Sequence, residues 1–371
     1  MKYLLLILLF VCSCSSKQNN TVKIANNTIY LHPNDKIKPV EQGSELLSEI
    51  KFIPLKEEDQ YVIAHVNKLI RCDSFFYLWD RKTQTIYKYD TEGNPAKFFH
   101  QVGGSLNEYI EIVDFDIDTE NKEINILCLP PKILYTDMDF NVKKAVDLDG
   151  KNFNRIASWK NTAFLYNHTR RVVYSINQGE KLKECFSTTE MQGDLIDASP
   201  AFFKTQQALY FQSPGDDCIY KITENEFVPY ITLDYDNKQS AITLHNKNVL
   251  EITFEERLKY PVPYIKNIIE KDNQLILFYV HGMIYRMCTY DISQNTYNDQ
   301  ILISFLVFPG CFYNNTLYGI EYPYNIARQS KITEYKDFMR NFMSGVKYDL
   351  DENMSLDKGN ENPIIVEQIL K

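Results

Sequence analysis

The residues able to do chemistry are few and scattered. Three aspartates alternate at Asp114, Asp116 and Asp118, and residues two apart on a strand share a face. Three such carboxylates offer the hard oxygen ligands that calcium takes. The glycine and terminal glutamate of an EF-hand loop are missing around them, so a solvated strand face and turn is the plainer reading. The histidines His32, His65, His100, His168, His245 and His281 are too dispersed for an H-E-x-x-H zinc site. No Gly-x-Ser-x-Gly elbow supplies a serine nucleophile. Gly103-Gly104 has no following lysine to cradle phosphate and reads as a turn. No catalytic residue is assigned, and calcium is the one cofactor candidate.

Binding residues are sought where polar and aromatic side chains leave apolar runs, because loops carry most ligand contacts. Asp80 and Arg81 follow the strand that contains Trp79; His168 and Arg170 follow another; Tyr260 and Tyr264 flank the prolines Pro261 and Pro263. Trp79 lies in a strongly apolar stretch and is expected in the core, whereas Trp159 sits between Ser158 and Lys160 and is the better ligand platform.

These residues must be positioned by a repeated unit. Phe75 to Asp80, the polar turn 81–84 and Thr85 to Asp90 read as strand, hairpin and strand. The grammar returns at Ile124–Leu127 with Ile133–Asp137, Ala163–Tyr166 with Val172–Ile176, Ala208–Phe211 with Cys218–Ile222, and Leu275–Tyr279 with Ile284–Cys288; a sixth unit begins at Thr316. Tyr77, Ile126, Phe164, Tyr210, Leu277 and Tyr318 mark the units at steps of 49, 38, 46, 67 and 41 residues, the spacing of four-stranded propeller blades with one insertion. The fold class expected is all-β, a six-bladed β-propeller of four-stranded antiparallel blades. A loop or short helix is expected in the insertion around Ile252–Tyr260, and a short amphipathic C-terminal helix over Tyr335–Met343. The final run Pro363–Leu370 reads as a last strand that returns to an early blade and closes the ring, removing open edges.

Composition agrees. Tyrosine (26) and phenylalanine (22) outnumber glycine (13), a balance suited to pleated sheets. Forty lysines and arginines against 49 acidic residues give a charge of -9 without a basic run, so nucleic acid is not an expected partner. Lys2 and the short apolar run Tyr3–Cys12 suit a secretory signal peptide. Val11-Cys12-Ser13-Cys14 resembles a bacterial lipobox, which makes Cys14 the expected lipid anchor, with the membrane as partner. Residues 1–13 are then the signal peptide, 14–25 a tether and 26–371 the propeller. The remaining cysteines, Cys72, Cys128, Cys185, Cys218, Cys288 and Cys311, lack C-x-x-C spacing and mostly lie in apolar stretches, so buried thiols are expected.

The series Leu47–Leu55, Leu69-Ile70, the Tyr77 unit, Glu108-Tyr109, Phe115-Asp116-Ile117-Asp118 and Asn362–Val366 runs in order along nearly the whole mature chain. It resembles the six-bladed β-propeller lipoproteins of Bacteroidetes. The chain departs from that family's pattern at Val102–Asn107, where a glycine-rich turn with a proline is usual. The resemblance implies an NHL-like propeller, lipid-anchored in the cell envelope of a Gram-negative bacterium, at the outer membrane, and it brings no general reaction. The function expected is non-catalytic recognition of a glycan or peptide by loops on one propeller face. A calcium-dependent lactonase or lyase would need acidic and amide side chains converging on the central channel. A scaffold subunit of an envelope protein complex would need an exposed apolar patch.

Overall fold

A computed structural model describes residues 27–31, 43–58, 60–177, 181–188, 200–224, 226–238, 253, 255, 263–281, 284–302, 310–325, 341, 343–348 and 362–371. Strands β1 (Thr28–Leu31) and β2 (Leu47–Pro54) precede the first blade. Blade one is β3 (Lys68–Cys72), β4 (Phe75–Asp80), β5 (Thr85–Asp90) and β6 (Pro95–Phe99). Blade two is β7 (Glu111–Asp118), β8 (Glu123–Leu129), β9 (Lys132–Asp137) and β10 (Val142–Asp147). Blade three is β11 (Arg155–Trp159), β12 (Thr162–Asn167), β13 (Val172–Asn177) and β14 (Lys183–Ser187). Blade four is β15 (Phe202–Lys204), β16 (Leu209–Phe211), β17 (Cys218–Thr223) and β18 (Glu226–Tyr235). Blade five is β19 (Tyr264–Lys271), β20 (Gln274–His281), β21 (Ile284–Asp291) and β22 (Thr296–Ile301). Blade six combines β23 (Cys311–Tyr313), β24 (Thr316–Glu321), β25 (Lys347–Tyr348) and β26 (Ile364–Leu370) with β2. All six sequence markers fall on the second strand of a blade, so the repeat was read in register.

The second strands read as unbroken apolar runs because both of their faces are buried. On β4, Phe76 and Leu78 pack towards blade six while Tyr77 and Trp79 pack towards blade two. On β12, Ala163 and Leu165 face blade two, and Phe164 and Tyr166 face blade four. The core is accordingly divided into six clusters, one at each boundary between successive blades, and the last joins blade six to blade one through Leu55, Ile63, Tyr318 and Ile365. Each fully buried large side chain contributes about 1.5–3 kcal/mol, and the circuit of clusters makes the ring one cooperative unit.

Ring closure differs from the expectation that the C-terminal strand joins an early blade. β26 lies inside the last blade, antiparallel to β24 on one side and to β2 on the other. The segment that travels is β2, which supplies the strand the chain after β24 and β26 lacks. β1 adds in parallel to β18 at the outer edge of blade four, and β25 covers β2; both additions cap strand edges that would otherwise template pairing. The insertion around Ile252–Tyr260 and the helix expected over Tyr335–Met343 lie almost wholly outside the described residues, as do Cys14, the signal peptide and the tether.

Candidate functional site

Antiparallel blades sort their connections onto two faces. Turns from first to second strands are short: Lys160-Asn161, Asp272-Asn273 and Asn314-Asn315 each have positive φ at both central residues, the two-residue geometry that matches strand twist. The opposite face, here the upper face, carries the turns from second to third strands and the longer inter-blade connections. Space for a ligand is therefore on the upper face.

Of the residues singled out in the sequence, Asp80, Arg81, His168, Arg170 and Tyr264 come to this upper face. Trp159 does not: it ends β11 beside the tight 160–161 turn on the lower face, half-buried against the cluster between blades three and four. Tyr260 lies outside the described residues. Asp80 is fully buried, and its carboxylate holds loops rather than a ligand. Oδ1 accepts from the Lys82 and Thr83 N–H groups (2.8 and 3.3 Å), and Oδ2 from Ala64 and His65 (2.7 and 3.2 Å). Arg81 pairs with Glu111 of blade two at 2.9 Å. Arg170 is exposed, while its neighbour Arg171 is buried and reaches blade four through Ser213 Oγ and the Pro214 carbonyl. The His168 ring meets Tyr166 edge-on at 6.1 Å. Tyr264 packs against the cluster between blades four and five.

The Asp80 contacts position a group that sequence reasoning missed. The Tyr322 hydroxyl accepts from the Val66 N–H at 2.9 Å and is hydrogen-bonded to His65 Nδ1 at 3.2 Å. The His65 and Tyr322 rings stack at 6.0 Å with 8° between planes, and Tyr324 adds a third ring 5.9 Å from Tyr322. Tyr324 is 69% exposed. Burial pushes the Tyr322 phenol up from its ordinary pKa, so it stays neutral. This ledge spans the junction of blades six and one, between residues more than 250 positions apart, and only ring closure brings it together.

On the inner strand β7, the aspartate series has the alternation expected but not the solvent. Asp114, Asp116 and Asp118 are all buried. Asp114 Oδ1 meets Lys68 Nζ of blade one at 2.8 Å, and Oδ2 accepts from Ile156 N–H of blade three at 3.0 Å. Asp116 Oδ2 meets Lys204 Nζ of blade four at 2.5 Å and accepts from Ser158 N–H at 2.7 Å. The same lysines donate to the carbonyls of Phe115, Ile117 and Ser158. The inner edges of β7 and β11 are thus capped by side chains of neighbouring blades. Asp118 closes the hairpin turn, accepting from Glu120 and Asn121 N–H groups and Asn121 Nδ2. These carboxylates do not fit calcium, because each would first have to release an ammonium or an amide. Among the described residues no three His, Cys, Asp or Glu side chains are grouped to hold a metal ion.

Two further upper-face features carry unusual charge. In the turn of blade four, burial and the adjoining Asp217 raise the Asp216 pKa to about 6. In blade five, Lys266 is the residue that the register of β19 skips between Ile265 and Asn267. The loop between blades one and two exposes Val102, Leu106 and Ile110. A Cβ on Gly103 would stand 2.2 Å from the Glu108 carboxylate, which accepts from Ser105 N–H at 2.8 Å, and would displace that side chain.

No curated protein matches the chain. A Bacteroides fragilis protein described as exported has a similar structure, with a TM-score of 0.67 at 14% identity over 93% of this chain and 99% of that one. A Bacteroides vulgatus member of the DUF4221 family is similar at a TM-score of 0.51 and 12% identity, over 90% of this chain and 99% of that one. Likeness at these identities establishes the propeller fold. The profile of a domain of unknown function, DUF4934, matches residues 28–366, and the chain belongs to that family.

Proposed function

We propose that this propeller is a non-catalytic recognition module of the cell envelope, lipid-anchored through Cys14 at the outer membrane, which binds a glycan or peptide on its upper face. The observation that carries the reading is the His65, Tyr322 and Tyr324 ledge, with an exposed outer ring and an inner ring locked by Val66 and His65. Rigid aromatic faces offer contact area at low entropic cost. A stack of rings with one hydroxyl already engaged suits the apolar face of a sugar ring, and we favour carbohydrate. The lipobox and the similarity to an exported Bacteroides protein support the envelope location.

The test is a thermal-shift screen of the purified protein against oligosaccharides and short peptides, repeated on Tyr324→Ala. A ligand at 100 times its Kd stabilises by about 2.7 kcal/mol. A shift present in the wild type and lost in Tyr324→Ala supports the ledge, and a peptide-only shift reassigns its ligand class. A shift equal in both proteins refutes the ledge. The scaffold reading keeps one specific observation, the exposed Val102, Leu106 and Ile110 side chains, which would dock an apolar partner surface.

A further inference from the structure

The lower turns are too tight to enclose a ligand between blades, yet together they rim the lower mouth of the channel. First strands adjoin round the ring, β3 with β7, β7 with β11, β11 with β15, β15 with β19 and β23 with β3. The turns that leave them, at 73–74, 119–122, 160–161, 205–208, 272–273 and 314–315, therefore encircle one opening. Five of the six present exposed carboxamides: Asn121, Asn161, Gln206 with Gln207, Asn273 and Asn314. Backbone conformation accounts for part of this set. Asn161, Asn273 and Asn314 have positive φ, which asparagine tolerates better than most residues, and Asn121 Nδ2 ties its own turn to Asp118. Gln206 has neither duty. It lies outside the left-handed region, and its turn is held by Thr205 Oγ1, which accepts from the Gln207 and Ala208 N–H groups at 3.2 and 2.9 Å.

Free of its turn, Gln206 Nε2 of blade four donates to Asn314 Oδ1 of blade six at 3.2 Å. Those blades are not neighbours, and a line between two non-adjacent points of a ring passes inside it, so this bond lies over the channel opening. On the other side Asn121 Nδ2 of blade two donates to Asn161 Oδ1 of blade three at 2.7 Å, and Lys122 of blade two pairs with Asp73 of blade one at 2.7 Å. Each carboxamide pair keeps polar atoms in reserve. The side-chain oxygens of Gln206 and Asn121 and the side-chain nitrogens of Asn314 and Asn161 make no hydrogen bond among the described residues. Tyr313, next to Asn314, sets its ring against the Arg71 guanidinium at 5.3 Å. Exposed charges in these turns nearly balance, with Asp73, Glu120 and Asp272 against Lys122 and Lys160, so the rim selects neither anion nor cation. A carboxamide both donates and accepts, as a sugar hydroxyl does. Groups that converge on an axis suit a compact ring entering end-on, whereas an extended peptide is read along a straight edge.

We infer that the lower mouth of the channel is a binding site for a neutral sugar, whose hydroxyls are taken by the carboxamides of Gln206, Asn314, Asn121 and Asn161. The site is on the face opposite the aromatic ledge and does not depend on it.

The test titrates the purified full-length protein with maltose, cellobiose and diacetylchitobiose, with tetraglycine as the peptide probe and calorimetry as the readout. Saturable binding of at least one disaccharide is expected. Gln206→Ala and Asn161→Gly should each weaken that binding at least fivefold, and Tyr324→Ala, on the opposite face, should leave it unchanged. Both lower-mouth variants should fold, because Gln206 is exposed and glycine accepts the positive φ of Asn161. No saturable binding of any disaccharide, binding equal to wild type in both lower-mouth variants, or binding lost in Tyr324→Ala would overturn the inference. Tetraglycine binding that Gln206→Ala abolishes would overturn it too, by making the rim a peptide site.

Discussion

Asp116 sits where three blades meet, and removing it should be costly in a way that its neighbours are not. The carboxylate belongs to blade two, its ammonium partner Lys204 to blade four, and the N–H it accepts, from Ser158, to blade three. Its side chain is 9% exposed and that of Lys204 is 25% exposed. Asp116→Ala leaves the buried Ser158 N–H without an acceptor, a loss of about 1–3 kcal/mol. It also strands a mostly buried ammonium, although Lys204 keeps the carbonyls of Ile117 and Ser158, so the total is about 3–5 kcal/mol, the range for a broken buried pair. Asp116→Asn preserves an acceptor but not the charge and should cost about 1.5–3 kcal/mol. Asp118→Ala loses only local turn bonds and should cost about 0.5–2 kcal/mol, as a lost helix cap does. Urea unfolding measures all three, as shifts in midpoint at constant slope. If Asp116→Ala is as stable as the wild type, or if calcium raises the wild-type midpoint, these carboxylates are not the inter-blade bridge described here.

Two further outcomes follow from buried titrating groups. The Asp216 pKa is raised in the fold, so its contribution to stability is complete below the unfolded value near 4 and is lost as pH rises through about 6; Asp216→Asn should therefore stabilise the protein by about 1–3 kcal/mol at pH 7 and by little at pH 4, measured as melting temperature against pH. Burial raises Cys185 and Cys218 to about 11 and Cys128 and Cys311 to about 12, with Cys72 and Cys288 also raised. Their contribution is complete below pH 8.5, the free-thiol value, and fades as pH climbs through 11–12. Of the six free thiols, Cys72, Cys128 and Cys288 are buried and Cys185, Cys218 and Cys311 half-buried; the buried three should resist alkylation at pH 8 until urea is added, and their rapid labelling in the native protein would contradict that burial.

The legible part of this protein was its local grammar. Phe75–Asp80, Thr162–Asn167 and Leu275–Tyr279 announce strands buried on both faces, because side-chain direction alternates with each residue whatever surrounds it. Counting such runs yields six blades, and the apolar stretches around the thiols agree with burial at Cys72, Cys128 and Cys288 but not with the half-buried Cys185, Cys218 and Cys311. Other features were decided by partners remote in sequence. Nothing near Pro363–Leu370 indicates that β26 inserts between β24 and β2, since any free edge satisfies its backbone equally well. Asp114 and Asp116 read as solvated because the lysines that bury them arrive from blades one and four. Trp159 reads as a platform from its polar neighbours, yet the turn after it lies on the lower face. His65 and Tyr322 become one ledge only when the ring closes. The sequence by itself determined the strands, their turns and their number, because these depend on neighbours along the chain. The tertiary structure alone decided which charges are matched and which rings meet, because a side chain's electrostatic fate is set by what the next blade places against it.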